Sequence, residues 1–391
     1  MTKKNHHYVP QFYLRLFSSD RNLVEKPKRI HLFNIKSNLI RENVGLADQC
    51  YKRKFYGNTD EVEDALSKVE GDYSQLLSRI IKFEKLPPRD TLERQLLLDF
   101  VIVQNLRTKL HVDFQEDIWD GLMKSFLREN IDHMNAEQWE NVLGKGEAPI
   151  TKEDLDNYKI SFGNSAILSL SLANETTRYA ASDLAMHLIL SGGEDCFITS
   201  DNPVVLYNQY FQGMKDMSFT GFVNAGLQIF LPLSPHCLLV LYDKDIYYTQ
   251  DTSGITKGIS PVDLRYINLL QFVNADQNIF FNNIRQIPEL EKIYLLSRRY
   301  RKEERARTLV FDEEKSRSDM VGSSMIQSYV EDLNISLNLQ FIKMKRSRRK
   351  LTLRERLVKR FRKEMPPEFL PKYEDPPNVP KVFKRRNSSD K

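Results

Sequence analysis

Apolar residues recur at helical spacing from Asp60 to about Phe83, where Val62, Leu66, Val69, Tyr73, Leu76, Leu77 and Ile80 fall on one face. The spacing predicts an amphipathic helix, stopped by Pro87-Pro88. Asp90 or Thr91 offers a side-chain oxygen to cap the next helix, expected from about Leu92 to His111. Leu92 through Leu110 is apolar nearly all round, so this helix belongs at the centre of the fold. A further helix is expected around Ile118–Glu129, then a polar linker around Gly144–Lys152, then a long helix from Ala166 to about Leu190 that ends at Gly192-Gly193.

Beyond Gly193 the pattern changes. Cys196–Thr199, Val204–Tyr207, Gln228–Leu231 and Cys237–Tyr242 are short apolar runs bounded by Pro, Gly, Asp and Asn, and they read as strands. Pro261–Asn274 reads as a helix with proline in its first turn, and Asn278–Phe281 as a last strand. Near the start, Pro10 opens a short helix, and Arg29–Asn34 with Leu39–Val44 forms a hairpin around Lys36-Ser37-Asn38. The expected fold is α+β, a helical first half packed on a mixed or antiparallel sheet from the second half. The expected divisions are 1–297 as a single domain, 298–342 as a charged extension, and 343–391 as a basic, proline-rich tail, largely disordered. Within that tail, Leu351–Phe361 has the pattern of a basic amphipathic helix.

Composition supports a real core: 41% of residues are apolar, with 22 Phe and 17 Tyr. No stretch approaches the roughly 20 apolar residues of a membrane span. Cys50, Cys196 and Cys237 are odd in number and widely spaced, which argues against a disulfide framework or a structural zinc site and for a reducing cytoplasm. The net charge of +5 conceals an asymmetry, because residues 343–391 hold 18 basic and 6 acidic residues and leave 40 basic and 47 acidic to the rest. A tail of that charge can contact nucleic-acid phosphates, an anionic membrane surface, or solvent alone.

Three polar clusters interrupt apolar surroundings. The first, His6-His7-Tyr8-Val9-Pro10-Gln11-Phe12-Tyr13-Leu14-Arg15, packs ionisable groups around one proline. His7 there is a candidate general acid or base and Arg15 an anion contact; the structural alternative is that His7 and Tyr8 tie down the terminus. In the second, Gln104, Arg107, Thr108 and His111 share one face of the central helix, so Arg107 either clamps an anion or is satisfied by a buried ion pair or a carbonyl cap. The third, Thr199-Ser200-Asp201-Asn202-Pro203-Val204, is a strand leading into a turn. Asp201 there can orient a histidine, act as a base or hold a metal, or it closes an Asx-type turn. Walker, G-x-G-x-x-G and H-E-x-x-H motifs are missing, and no elbow surrounds Ser200.

Taken in order, these clusters resemble a widespread, mainly bacterial domain-of-unknown-function family that opens with H-Y-V-P-x-F-Y-L-R. Its middle Gln and Arg-Thr match Gln104, Arg107 and Thr108, and its T-S-D-N-P-V motif matches Thr199 to Val204. Phe230-Leu231-Pro232-Leu233-Ser234-Pro235 is similar to the stretch that follows, so the resemblance covers about residues 5–285. It brings no activity with it, but it gives the polar motifs weight as a set, and their convergence in the fold is the expectation drawn here. The leading expectation is a cytoplasmic hydrolase, in its narrower form a nuclease in phage defence. His7, Arg107 and Asp201 would be catalytic, and Arg15, Gln104, Thr199, Ser200 and Asn202 would bind substrate. The cofactor is left open, a divalent metal being compatible. The competing expectation is a noncatalytic protein whose motifs staple the fold and whose tail binds nucleic acid.

Overall fold

The computed structural model describes residues 5–20, 26–135, 137–139, 151–161, 163–194, 196–214, 217–311, 325–345 and 352–364. Strand β1 (Asn5–His7) leads through Pro10, which stands at the N-cap, into helix α1 (Gln11–Arg15). Strands β2 (Arg29–Asn34) and β3 (Leu39–Gly45) form the expected hairpin, and β4 (Tyr51–Arg53) returns to pair antiparallel with β1. Helix α2 (Glu61–Phe83) buries Tyr73, Leu76, Leu77 and Ile80, the periodic face read from sequence, and stops at Glu84 in the left-handed conformation.

The central helix is broken where a single one was expected. Helix α3 (Leu92–Leu106) is capped by the Thr91 hydroxyl and ends at Arg107, and α4 (Lys109–Asn130) begins anew with Thr108 as its N-cap, accepting from the His111 amide. A hydroxyl that caps a following helix competes with continuation of the preceding one. The long helix expected over Ala166–Leu190 is likewise three elements: α5 (Ser165–Ser171), α6 (Glu175–Ala181) and strand β5 (Ala185–Leu190). Asn174 restarts the chain by accepting from the Thr177 amide. Apart from His187, the Met186–Leu190 stretch is apolar because β5 is buried on both faces, a pattern that periodicity alone does not separate from a buried helix.

The rest follows the strand-rich reading: β6 (Thr199–Ser200), β7 (Val205–Tyr207), β8 (Gln228–Ser234), β9 (Cys237–Tyr242), β10 (Tyr247–Thr249), β11 (Ile255–Lys257), α7 (Pro261–Asn274), β12 (Asn278–Phe281), α8 (Ile287–Ser297), β13 (Ala306–Phe311), β14 (Met325–Val330), β15 (Ile342–Met344) and α9 (Glu355–Glu364). A mixed five-stranded sheet runs β11-β5-β9-β8-β7, parallel at the β11–β5 pair, and an antiparallel sheet runs β3-β2-β12-β6. Alternation along β5, β8 and β9 divides the interior. Leu188, Ile229, Leu231, Leu239 and Leu241 meet α1, α2 and α3 on one face, while Ile189, Phe230, Leu238 and Val240 meet α7 and α8 on the other. The protein is α+β, with the helices of the first half on one side of a mixed sheet from the second half, and the β2–β3 hairpin lent to the second sheet.

The extension drawn at 298–342 contributes to the core, since Leu333, Ile335, Leu337, Leu339 and Phe341 are buried at every second position. Strand β15 pairs with β10, and the helix read from the basic tail is α9. Arg354, before α9, is 1% exposed and binds the Asp183 carboxylate at 2.9 Å and the Ala180 carbonyl. The disorder expected of the tail falls on residues 365–391, outside the described residues. No helix among the described residues is long and apolar enough to cross a membrane.

Candidate functional site

Pairing of β1 with β4 sets His7 opposite Tyr51, and the Tyr8 amide donates to the Cys50 carbonyl. Alternation then turns His6 inward, where its Nδ1 accepts from the Tyr56 amide at 3.0 Å, and leaves His7 half-buried. His7 Nε2 lies 3.2 Å from the Ala47 carbonyl and 3.2 Å from Gln11 Nε2. One nitrogen cannot donate to the first and accept from the second at once, so the two contacts define two tautomers. When Nε2–H donates to Ala47, Nδ1 carries the lone pair. Burial holds the His7 pKa below its ordinary value, with the Ala47 bond and Glu70 opposing, which favours the neutral ring. Gln11 Oε1 accepts from Arg15 Nη2 at 3.2 Å, so Gln11 links His7 of β1 to Arg15 at the end of α1. These three line an open cavity of about 360 Å3, whose opposite wall is α2 with Glu63 and Glu70.

Arg107 lies behind that cavity, 1% exposed. Its Nη1 binds Glu70 at 2.7 Å, its Nη2 the His7 carbonyl at 2.6 Å, and its Nε the Tyr56 hydroxyl at 3.3 Å. Burial works against its charge, but Tyr56 and Glu70 outweigh it and hold the guanidinium above its ordinary range. Gln104 donates to the Tyr8 carbonyl at 3.3 Å, and its buried Oε1 has no hydrogen-bond partner among the described residues. Thr108 donates to Asn202 Oδ1 at 2.8 Å.

The third motif faces inward throughout. Thr199 Oγ1 meets the Tyr13 hydroxyl at 2.8 Å, and that hydroxyl donates to the Pro232 carbonyl at 2.6 Å. Ser200 donates to Gln271 Oε1 at 2.9 Å, and Asn202 and Asn274 exchange side-chain-to-carbonyl bonds, each 2.9 Å. Asp201, 2% exposed, accepts three backbone amides at 2.9 Å, from Asp276 at Oδ1 and from Gln277 and Asn278 at Oδ2. Burial and the neighbouring Asp276 push its pKa up to about 6 against the pull of those amides.

Every pair of motifs therefore touches: the first and second at Tyr8 and His7 carbonyls, the first and third at Tyr13–Thr199, the second and third at Thr108–Asn202. The predicted residues nevertheless divide. His7 and Arg15 line a cavity; Gln104, Arg107, Thr199, Ser200, Asp201 and Asn202 are buried in a network that ends largely on backbone groups. Both Asp201 oxygens are occupied by amides, and among the described residues no group of three or more His, Cys, Asp or Glu is placed to hold a metal ion. Glu70, Tyr56 and Tyr13 were not singled out from sequence. Glu63 and Glu70, seven apart on α2, were a legible signal of two carboxylates on one helical face.

The fold and these contacts define an α+β protein whose N-terminal strand and helix are locked to the sheet by three interleaved polar motifs, with a His-Arg-Glu cavity at the lock's open edge. The chain belongs to the family described as Protein of unknown function (DUF4238), whose model matches residues 5–284. Neither a curated protein nor a solved structure matches the chain.

Proposed function

We propose that this protein is a hydrolase whose reacting groups face the cavity of His7, Gln11, Arg15 and Glu70. The observation that carries the reading is that His7, neutral and half-buried, shares an open cavity with a guanidinium while its backbone carbonyl is fixed by Arg107. In the reaction, Nδ1 of His7 takes a proton from water, the resulting hydroxide attacks, and the imidazolium returns the proton to the leaving oxygen. Arg15 bears the negative charge that develops on the attacked group. Arg107 and Asp201 become positioning residues in this reading: Arg107 sets the height of His7 in the cavity, and Asp201 fixes the turn beneath the motif network.

Nucleic acid is the substrate class to test first, and a cytoplasmic setting is supported by the absence of a disulfide among Cys50, Cys196 and Cys237. Purified protein is incubated with RNA and with single- and double-stranded DNA, and cells carrying the gene are challenged with phage. His7→Ala is expected to lower turnover by about 10²–10⁴-fold, the usual worth of a general base. Arg15→Ala is expected to act mainly on kcat, because the charge it bears develops only in the transition state. Intact nucleic acid with the wild type sinks the nuclease form; unchanged turnover in His7→Ala sinks the site.

A second reading, a noncatalytic binding protein, is favoured by one observation: Arg107 and Asp201 spend their hydrogen bonds on protein. Nucleic-acid contact would then fall to the basic end of the chain. In α9 the charges of Arg356, Lys359 and Arg360 are paired with Asp245, Glu355 and Glu364. Truncation after Glu364, which spares Arg354 and β15, is expected to abolish salt-dependent retention on nucleic acid. Retention that survives the truncation removes the tail from this reading.

A further inference from the structure

Five basic side chains line a separate cavity of about 720 Å3, bounded by the turn after β2, the start of α4, the end of α7 and the chain that follows α8. Two of them are held in an unusual way. Arg301 Nη1 donates to the carbonyls of Phe272 at 2.6 Å and Ala275 at 2.7 Å, and its Nη2 to that of Asp276 at 3.0 Å. Arg305 clamps the Glu331 carbonyl with Nε at 2.9 Å and Nη2 at 2.7 Å. Carbonyls satisfy N–H groups without cancelling a charge. Among the described residues neither Arg301 nor Arg305 forms an ion pair with a carboxylate, and Nη1 of Arg305 has no hydrogen-bond partner.

Exposed Glu303 also lines the cavity, but the partly buried carboxylates Asp276 and Glu331 are already engaged. Asp276, on the cavity wall, is met by Lys109 at 3.2 Å and Lys36 at 3.7 Å, and Glu331 is met by Lys302 and by Arg307. Burial, with the neighbouring charge of Arg301, pushes the Arg305 guanidinium down to about 10, against the pull of Asp332 and Glu331. Capping the C-terminal end of α7 accounts for the bonds of Arg301. It does not account for a second guanidinium beside it, 5.2 Å from the centre of the Phe114 ring. Concentrated positive charge in a half-buried, partly apolar hollow is costly unless an anion arrives.

We propose that this cavity binds a small phosphorylated ligand with a planar ring, the class to which nucleoside monophosphates belong. The phosphate sits between Arg301 and Arg305, with exposed Arg298 at the mouth, and the ring packs on Phe114 and Tyr294. Charge-assisted bonds give the phosphate its affinity, and the aromatic walls distinguish a nucleotide from free phosphate. The site is distinct from the His7 cavity and does not rest on hydrolysis there.

Titration calorimetry of the full chain with AMP, GMP, CMP, UMP and inorganic phosphate tests it. At least one nucleotide is expected to bind about tenfold tighter than phosphate, a difference of roughly 1.4 kcal/mol. Arg305→Gln and Arg298→Gln should each weaken the nucleotide about tenfold or more, the cost of losing a charge-assisted contact. Phe114→Ala should weaken the nucleotide and spare phosphate. Arg298 is on the surface, so its replacement reports on binding even if Arg305→Gln unfolds the chain, which thermal melting detects. No binding of any nucleotide at millimolar concentration, wild-type affinity in the variants that fold, or phosphate binding as tightly as the nucleotides overturns the proposal.

Discussion

Arg107→Ala would leave Glu70 beside an empty guanidinium site and strip the His7 carbonyl and Tyr56 hydroxyl of their donor. Breaking a buried ion pair from one side costs about 3–5 kcal/mol, so urea unfolding of the variant should show a loss in that range. Arg107→Lys should recover little, because one ammonium cannot span three acceptors in a plane. Asp201 makes a different prediction. Its folded pKa, about 6, lies above its ordinary 3.8, so the folded state holds the proton more tightly than the unfolded chain. The stability this contributes is full below the ordinary value and is lost as pH rises through about 6. The stability of wild type relative to Asp201→Asn should therefore fall between pH 4 and pH 7, measured by unfolding across that window; a flat difference refutes the shift. His7, Arg107 and Asp201 were legible as ionisable groups in apolar company. Their roles were not, because the partners that decide them are the His7 carbonyl and the amides of residues 276–278, and backbone groups leave no mark in a sequence.

At the scale of elements, the helical face of α2 was legible from its period and helix α7 from the proline in its first turn, while strands β9 and β12 were legible as short apolar runs bounded by turn residues. The break between α3 and α4 was hidden because the polar residues from Gln104 to His111 also fit one face of a continuous helix, and a single threonine changes the outcome. Thr108→Ala removes both the cap of α4 and the bond to Asn202, and should cost about 1–3 kcal/mol in thermal or chemical unfolding. Thr108→Ser, which keeps the hydroxyl, should recover most of it. Strand β5 was misread for the complementary reason: an element covered on both faces shows no alternation, so only its tertiary position distinguishes it from a helix.

At the scale of the molecule, the charge asymmetry of the chain was plain, yet nothing in it marked Arg354 as the basic residue that enters the body. Arg354→Ala should leave Asp183 unpaired and free α9, seen as faster protease cleavage within 352–364 while the melting of the sheet changes less. Unaltered cleavage would mean that α9 is held by its other contacts, among them Arg356 with Asp245 and Arg360 over the Tyr179 ring. The Tyr13 contact with Thr199 and the Pro232 carbonyl spans 186 and 219 positions of the chain. Tyr13 therefore cannot reach its seat until the chain has been synthesised past Pro232. During that interval Tyr8, Val9, Leu14 and Phe17 are an apolar strip without a cover, the kind of transient surface through which a folding chain aggregates.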